Sequence, residues 1–368
     1  MLNINPDNKK MILSVDGGGT RGIISVAMLA ELEKMTGKTC PEMFDMVAGT
    51  STGAVVAAGI GLGISAQELL EDVYRTRLPQ SFQSQPRGLL LYLRYIWNGL
   101  RNLYDLTPFV ETLAPFAAGK KVRDFDKPIV FLTTRDVRTA NTYYIVSKGP
   151  GAGRFDEWPV AGAVAASGAA PIFFPPVVGN LIDGGIGVNS NPCFSATLEA
   201  MEYIGAAEGF TDGNVIHMSL GTGYSPRERQ EGEAGRFWLG DWIPHIIYQG
   251  IDDSALQQVF VTRKIYGDRI DFRRFNPYVE TESVRDVLKV PLDGRPAPST
   301  IGSGLSAFEP DVISIMEDIG RAYARQVNWT EAGYLPWLDS GPDAGDGRDG
   351  GHPLPKIKPV NWTGSGFR

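Results

Sequence analysis

Short, nearly uninterrupted apolar runs alternate along the chain with longer segments of mixed or small apolar residues. MILSV at 11–15, FDMVA at 44–48, IVFLTT at 129–134, YYIV at 143–146, the stretch 177–182 and VIHMSL at 215–220 predict short strands, most of them buried on both faces. Segments 23–35, 53–61, 160–167, 192–204, 251–265 and 310–326 predict helices. Strand and helix keep alternating, which predicts an α/β fold with a mainly parallel central sheet covered by helices on both faces. Two stretches break the rhythm: 81–104, rich in Leu, Tyr and Arg, and 236–250, rich in Trp and Ile. Both read as helical insertions outside the sheet scaffold.

Composition narrows the class without naming the chemistry. With 368 residues, 43% hydrophobic and 21% charged, the chain can bury a sizeable core. A net charge of −7 argues against a general nucleic-acid binder, whose affinity comes largely from Lys and Arg neutralising phosphates. Cys40 and Cys193 are too few for a disulfide framework and have no metal-ligand spacing, so they read as buried small hydrophobes. The first ten residues carry no secretory pattern and no run of eighteen apolar residues occurs, so a cytoplasmic protein is expected. One unit over 1–330 is expected to carry the chemistry, with its motifs in 11–220 and a helical part in 221–330. The Gly, Asp and Pro-rich remainder, 331–368, reads as a tail.

Chemistry concentrates in three places. The first strand runs into Asp16-Gly17-Gly18-Gly19-Thr20-Arg21-Gly22, a loop bare enough to turn backbone N–H groups toward an anion. The second runs into Gly49-Thr50-Ser51-Thr52-Gly53 and then a helix, the strand–turn–helix context of a nucleophile elbow, in which Gly49 and Gly53 allow the turn and Ser51 is held out at the sheet edge. A serine needs a base. Of the three histidines, His217 lies in an apolar strand and His245 in an aromatic stretch, and both read as core residues, while His352 lies in the tail. Asp183 follows VVGNLI and precedes Gly184-Gly185, which places a carboxylate at the C-terminal end of a predicted strand, although Asp-Gly is also an ordinary turn.

Together, DGGGTRG (16–22), GTSTG (49–53), ASGAAPIFFPP (166–176) and DGG (183–185), in that order, resemble the patatin-like phospholipases over about residues 11–220. The resemblance implies a three-layer α/β fold and a lipid acyl hydrolase of phospholipase A type. It implies Ser51 as nucleophile, Asp183 as its base, and the backbone of Gly17, Gly18 and Gly19 as an oxyanion hole, with no metal and no cofactor. Arg21 would steady the glycine loop or add positive potential to it, although a surface arginine at a helix start fits the same residue. Some bacterial members are lipases switched on by signalling nucleotides, which would add control to the same chemistry. A rival reading takes Asp16 and its glycines, with SLGTG at 219–223, as the phosphate loops of an actin-like sugar kinase. The substrate partner would be a membrane lipid or another acyl ester. Arg87, Arg94 and Arg101, seven apart within 86–104, would form one basic stripe if that segment is a helix lying peripherally on a membrane; a buried packing helix fits the same residues.

Overall fold

The computed structural model describes residues 1–83, 93, 96, 99, 101–224, 232–298 and 308–331. The tail and most of 86–104 lie outside them, including Arg87 and Arg94 of the expected stripe; Arg101 is described, in an exposed bend.

Among the described residues one sheet has seven strands: β1 (Lys10–Val15), β2 (Met46–Gly49), β3 (Ile129–Asp136), β4 (Asn141–Val146), β5 (Leu181–Asp183), β6 (Val215–Leu220) and β7 (Asp271–Phe275). Its order is β4-β3-β2-β1-β6-β7, with β5 paired to β3 off that path. The strands β3-β2-β1-β6-β7 run parallel, and β4 and β5 are antiparallel to β3. β1 is covered on both sides: Met11, Leu13 and Val15 enter one core cluster and Ile12 the other. That double burial is why its sequence is an unbroken apolar run rather than an alternating one.

The larger cluster joins α1 (Gly22–Thr36), α2 (Thr52–Gly61), α3 (Thr107–Ala117), α4 (Val160–Gly168) and the C-terminal helix Pro310–Gln326. On the other face lie α5 (Cys193–Leu198), the π-helical turn Glu199–Ile204 that continues it, and residues of α6 (Leu239–Tyr266). The result is the expected three-layer α/β arrangement. α1 is buried from Gly22 to Glu33 because it is sandwiched between the sheet and the C-terminal helix, which explains an apolar character too broad for one helical face.

Three expectations change. Segment 236–250 is not an insertion by itself, because most of it forms the first half of the 28-residue α6. The strand expected over 177–182 contracts to Leu181–Asp183, since Val177 turns back and pairs with Leu181. β7, Asp-Phe-Arg-Arg-Phe, has no counterpart among the sequence expectations.

Candidate active site

The sheet brings Ser51 and Asp183 together by letting two strands share one edge of β3. β2 pairs with β3 up to Gly49 opposite Leu132, then leaves the sheet at the elbow. β5 takes up the same edge where β2 ends, with Asp183 opposite Thr134, two residues on. Two residues of strand span about 6.6 Å, so the elbow and the carboxylate are neighbours across the turn. Asp183 is the last residue of β5, at the C-terminal end of a strand as expected; that strand is antiparallel to β3 and enters the sheet from the C-terminal edge of the parallel strands.

Ser51 sits at φ 56°, ψ −119°, a left-handed backbone that a non-glycine residue adopts only under local strain. The glycines on either side are required by space. A Cβ on Gly49 would run into the backbone of Gly53, and one on Gly53 into the carbonyls of Val15 and Asp16. Side chains hold the turn from outside: the Ser51 N–H donates to Ser167 Oγ at 3.0 Å, and the Thr50 hydroxyl donates to the Asn189 carbonyl at 2.7 Å. Ser51 also lies at the N-terminus of α2, whose dipole favours negative charge there.

Ser51 and Asp183 line the same pocket, and the Asp183 carboxylate accepts the Gly185 N–H at 2.7 Å. Asp183 is 5% exposed. Burial is the largest influence on its proton affinity and pushes it up from 3.8 to about 6, against the opposing pull of the Ser51 hydroxyl and the Gly185 N–H. At neutral pH it is ionised, yet more basic than an ordinary carboxylate.

The glycine loop faces this pair, and Gly17, Gly18 and Gly19 line the same pocket as Ser51 and Asp183. Their N–H groups are not equivalent. Gly17 donates to the Ser190 carbonyl at 2.8 Å, so its N–H is committed to the scaffold. Among the described residues, the Gly18 and Gly19 N–H groups have no hydrogen-bond partner. Thr222 Oγ1 donates to the Gly17 carbonyl at 3.0 Å and lies where a Cβ on Gly18 would fall. Asp16, at the root of the loop, is held by Arg274 of β7 through bonds of 2.8 and 2.6 Å, and the same guanidinium reaches Ser219 Oγ at 3.0 Å. Arg21 is 5% exposed, donates to the Gly223 carbonyl at 3.3 Å and approaches Asp252 of α6 at 3.9 Å. It joins the glycine loop to the turn after β6 and to α6.

The histidines divide. His217 is fully buried on the face away from α1, between Thr197 Oγ1 at 2.8 Å and Ser14 Oγ at 2.9 Å, with burial lowering its pKa to about 3. It is a neutral core residue. His245 is not in the core: it is half-buried, edge-on to Phe237 and Trp242 near the start of α6. His352 lies outside the described residues.

The pocket beyond Ser51 is a cavity of about 90 Å³ with a strongly apolar wall. Pro171, Phe173 and Phe174 come from the motif ASGAAPIFFPP; Phe82, Phe109 and Phe308 join them from distant parts of the chain. Sequence reasoning also missed Arg274 and Ser190, which no local pattern marks because each matters only through a contact with the glycine loop. Thr222 lies in the SLGTG stretch, but its role here is to support the glycine loop.

Comparison with known proteins places this arrangement. The family model described as patatin-like phospholipase matches residues 13–197, half of the chain. The chain is 31% identical to the cGAMP-activated phospholipase of Vibrio cholerae over 202 residues, 51% of this chain and 56% of that protein. It is 30% identical to the 85/88 kDa calcium-independent phospholipase A2 of Mus musculus, over 59% of this chain and 27% of that protein. It is 27% identical to the cUMP-AMP-activated phospholipase of Escherichia coli, over 78% of this chain and 87% of that protein. The match thus spans little more than half of the first relative and about a quarter of the second. Fold, motif order and family match agree: the chain belongs to the patatin-like phospholipase family.

Proposed function

We propose that the protein is a lipid acyl hydrolase of phospholipase A type, working through Ser51 and Asp183 without a histidine. The observation that carries this reading is a serine in a strained elbow that shares the lining of an apolar pocket with a buried carboxylate. Ser51 Oγ attacks the carbonyl carbon of a fatty-acyl ester and its proton passes to Asp183. The carbonyl oxygen becomes negative and is held by the Gly18 and Gly19 N–H groups, a donor typically being worth about 3–4 kcal/mol in the transition state. The tetrahedral adduct collapses, its ester C–O bond breaks, and the departing alkoxide takes the proton from Asp183. Asp183 then accepts a proton from water, whose oxygen attacks the acyl carbon; the bond from that carbon to Ser51 Oγ breaks, Asp183 returns the proton to Ser51 Oγ, and the fatty acid leaves. Gly17 and Arg21 shape the loop and stand outside the bond-making steps.

The kinase reading loses its metal-holding group, since Asp16 is 5% exposed and bound to Arg274. The names of two of the relatives support a second property, activation by a cyclic dinucleotide. Membrane lipid is the proposed partner; among the described residues no helix is long and apolar enough to cross a membrane.

The test is to incubate the full chain with phospholipids of defined acyl composition, with and without cGAMP or cUMP-AMP, and to identify products by mass spectrometry. A free fatty acid and a lysophospholipid in equal amounts are expected. Products cleaved at a phosphate ester, or ATP consumption with a sugar acceptor, would replace the reading.

A further inference from the structure

Behind the pocket at Ser51 lies a second cavity of about 20 Å³, and both are built by the same helices one turn apart. In α3, Phe109 lines the front cavity and Leu113 the rear one; in α4, Gly168 lines the front and Val164 the rear. Spacings of four residues stack side chains on one helix face. Among the described residues Val55 is common to both linings. It lies in the first turn of α2, four residues after Ser51 and about 6 Å farther along the axis. Its side chain is 4% exposed and belongs to the main core cluster. The rear cavity is walled by apolar residues throughout, so a hydrocarbon entering it meets no polar group.

We infer that Val55 is a specificity-determining residue for acyl-chain length: its isopropyl group is the floor on which the buried chain ends, and the rear cavity is space it withholds. The inference rests on the hydrolase reading. A chain esterified to Ser51 runs down the α2 face past Thr52 and meets Val55. Chains reaching the floor gain burial with each methylene; longer ones gain none in this direction, because the space behind is closed.

The experiment measures kcat/KM of the full chain on p-nitrophenyl butanoate, octanoate and dodecanoate, reading the dodecanoate-to-butanoate ratio. Val55→Ala opens the floor by two methyl groups, room for about two more methylenes, and raises the ratio about tenfold. Val55→Ile adds a methylene to the floor and lowers the ratio about threefold. Leu113→Ala, which enlarges the rear cavity behind an intact floor, shifts the ratio only in combination with Val55→Ala, a coupling that general loosening of the core would not produce. If Val55→Ala does not fold, Val55→Ile carries the test. A ratio within twofold of wild type in a folded Val55→Ala, or one raised by Val55→Ile, overturns the inference and leaves the hydrolase standing. A wild-type chain that hydrolyses none of these esters, with or without a cyclic dinucleotide, overturns both.

Discussion

Ser51→Ala and Asp183→Asn each lower kcat/KM for phospholipid hydrolysis by about 10³–10⁴-fold, and the double variant is little slower than either single one. Groups that act as one unit give such non-additive losses, because removing either already removes the step they share. The two substitutions keep the site's shape for different reasons. Ser51→Ala removes only the hydroxyl, while the backbone turn is still held by Ser167 Oγ and by the close packing at Gly49 and Gly53. Asp183→Asn keeps an oxygen for the Gly185 N–H and removes a buried charge, so the thermal midpoint of this variant should equal or exceed that of the wild type. Comparing kinetics with thermal melts separates chemistry from folding. Additive losses, the double variant slower by the product of the singles, would mean that the two residues act independently.

On the proposed mechanism, acid should remove activity without unfolding the protein at this site. Asp183 must be ionised to accept the serine proton, and its proton affinity stands at about 6 instead of 3.8. kcat/KM should therefore be level above about pH 6.5 and fall about tenfold per pH unit below 6, reaching about one hundredth near pH 4. The linkage sign is opposite to the usual carboxylate case. The folded state holds this proton more tightly than the unfolded chain, so the stability it contributes is fully present below 3.8 and is lost as pH rises through about 6. Circular dichroism at pH 5 should show a folded protein while the rate is already reduced. A rate that stays level down to pH 4.5 would remove Asp183 as the base.

Much of this architecture is written locally. Strands buried on both faces, such as Met11–Val15 and Val215–Leu220, appear as apolar runs, and the elbow appears as a strand leading through Gly49-Thr50-Ser51-Thr52-Gly53 into a helix. β7 was illegible for a physical reason. Its Arg273 and Arg274 are buried only because Asp271, the carbonyls of Ile4 and Trp329, Ser219 and Asp16 receive them, and all of those partners except Asp271 are remote in sequence. Asp183 could be picked out as a candidate, but not the route that brings it there: a three-residue antiparallel strand on the edge that β2 vacates carries too few residues to show a period. The loop of three glycines showed where N–H groups could gather. That Gly17 spends its N–H on Ser190 depends on a contact with a residue far along the chain, which no local pattern encodes.

The central claim, that Ser51 is the nucleophile and Asp183 activates it, is tested most directly by a fluorophosphonate ester followed by intact-mass analysis and peptide mapping. The account predicts one adduct per chain, formed without added metal, on the peptide containing Ser51; labelling should be at least about a hundredfold slower in Asp183→Asn and absent in Ser51→Ala. Stoichiometric labelling at any other residue, or ester hydrolysis that continues with Ser51 fully modified, would contradict it.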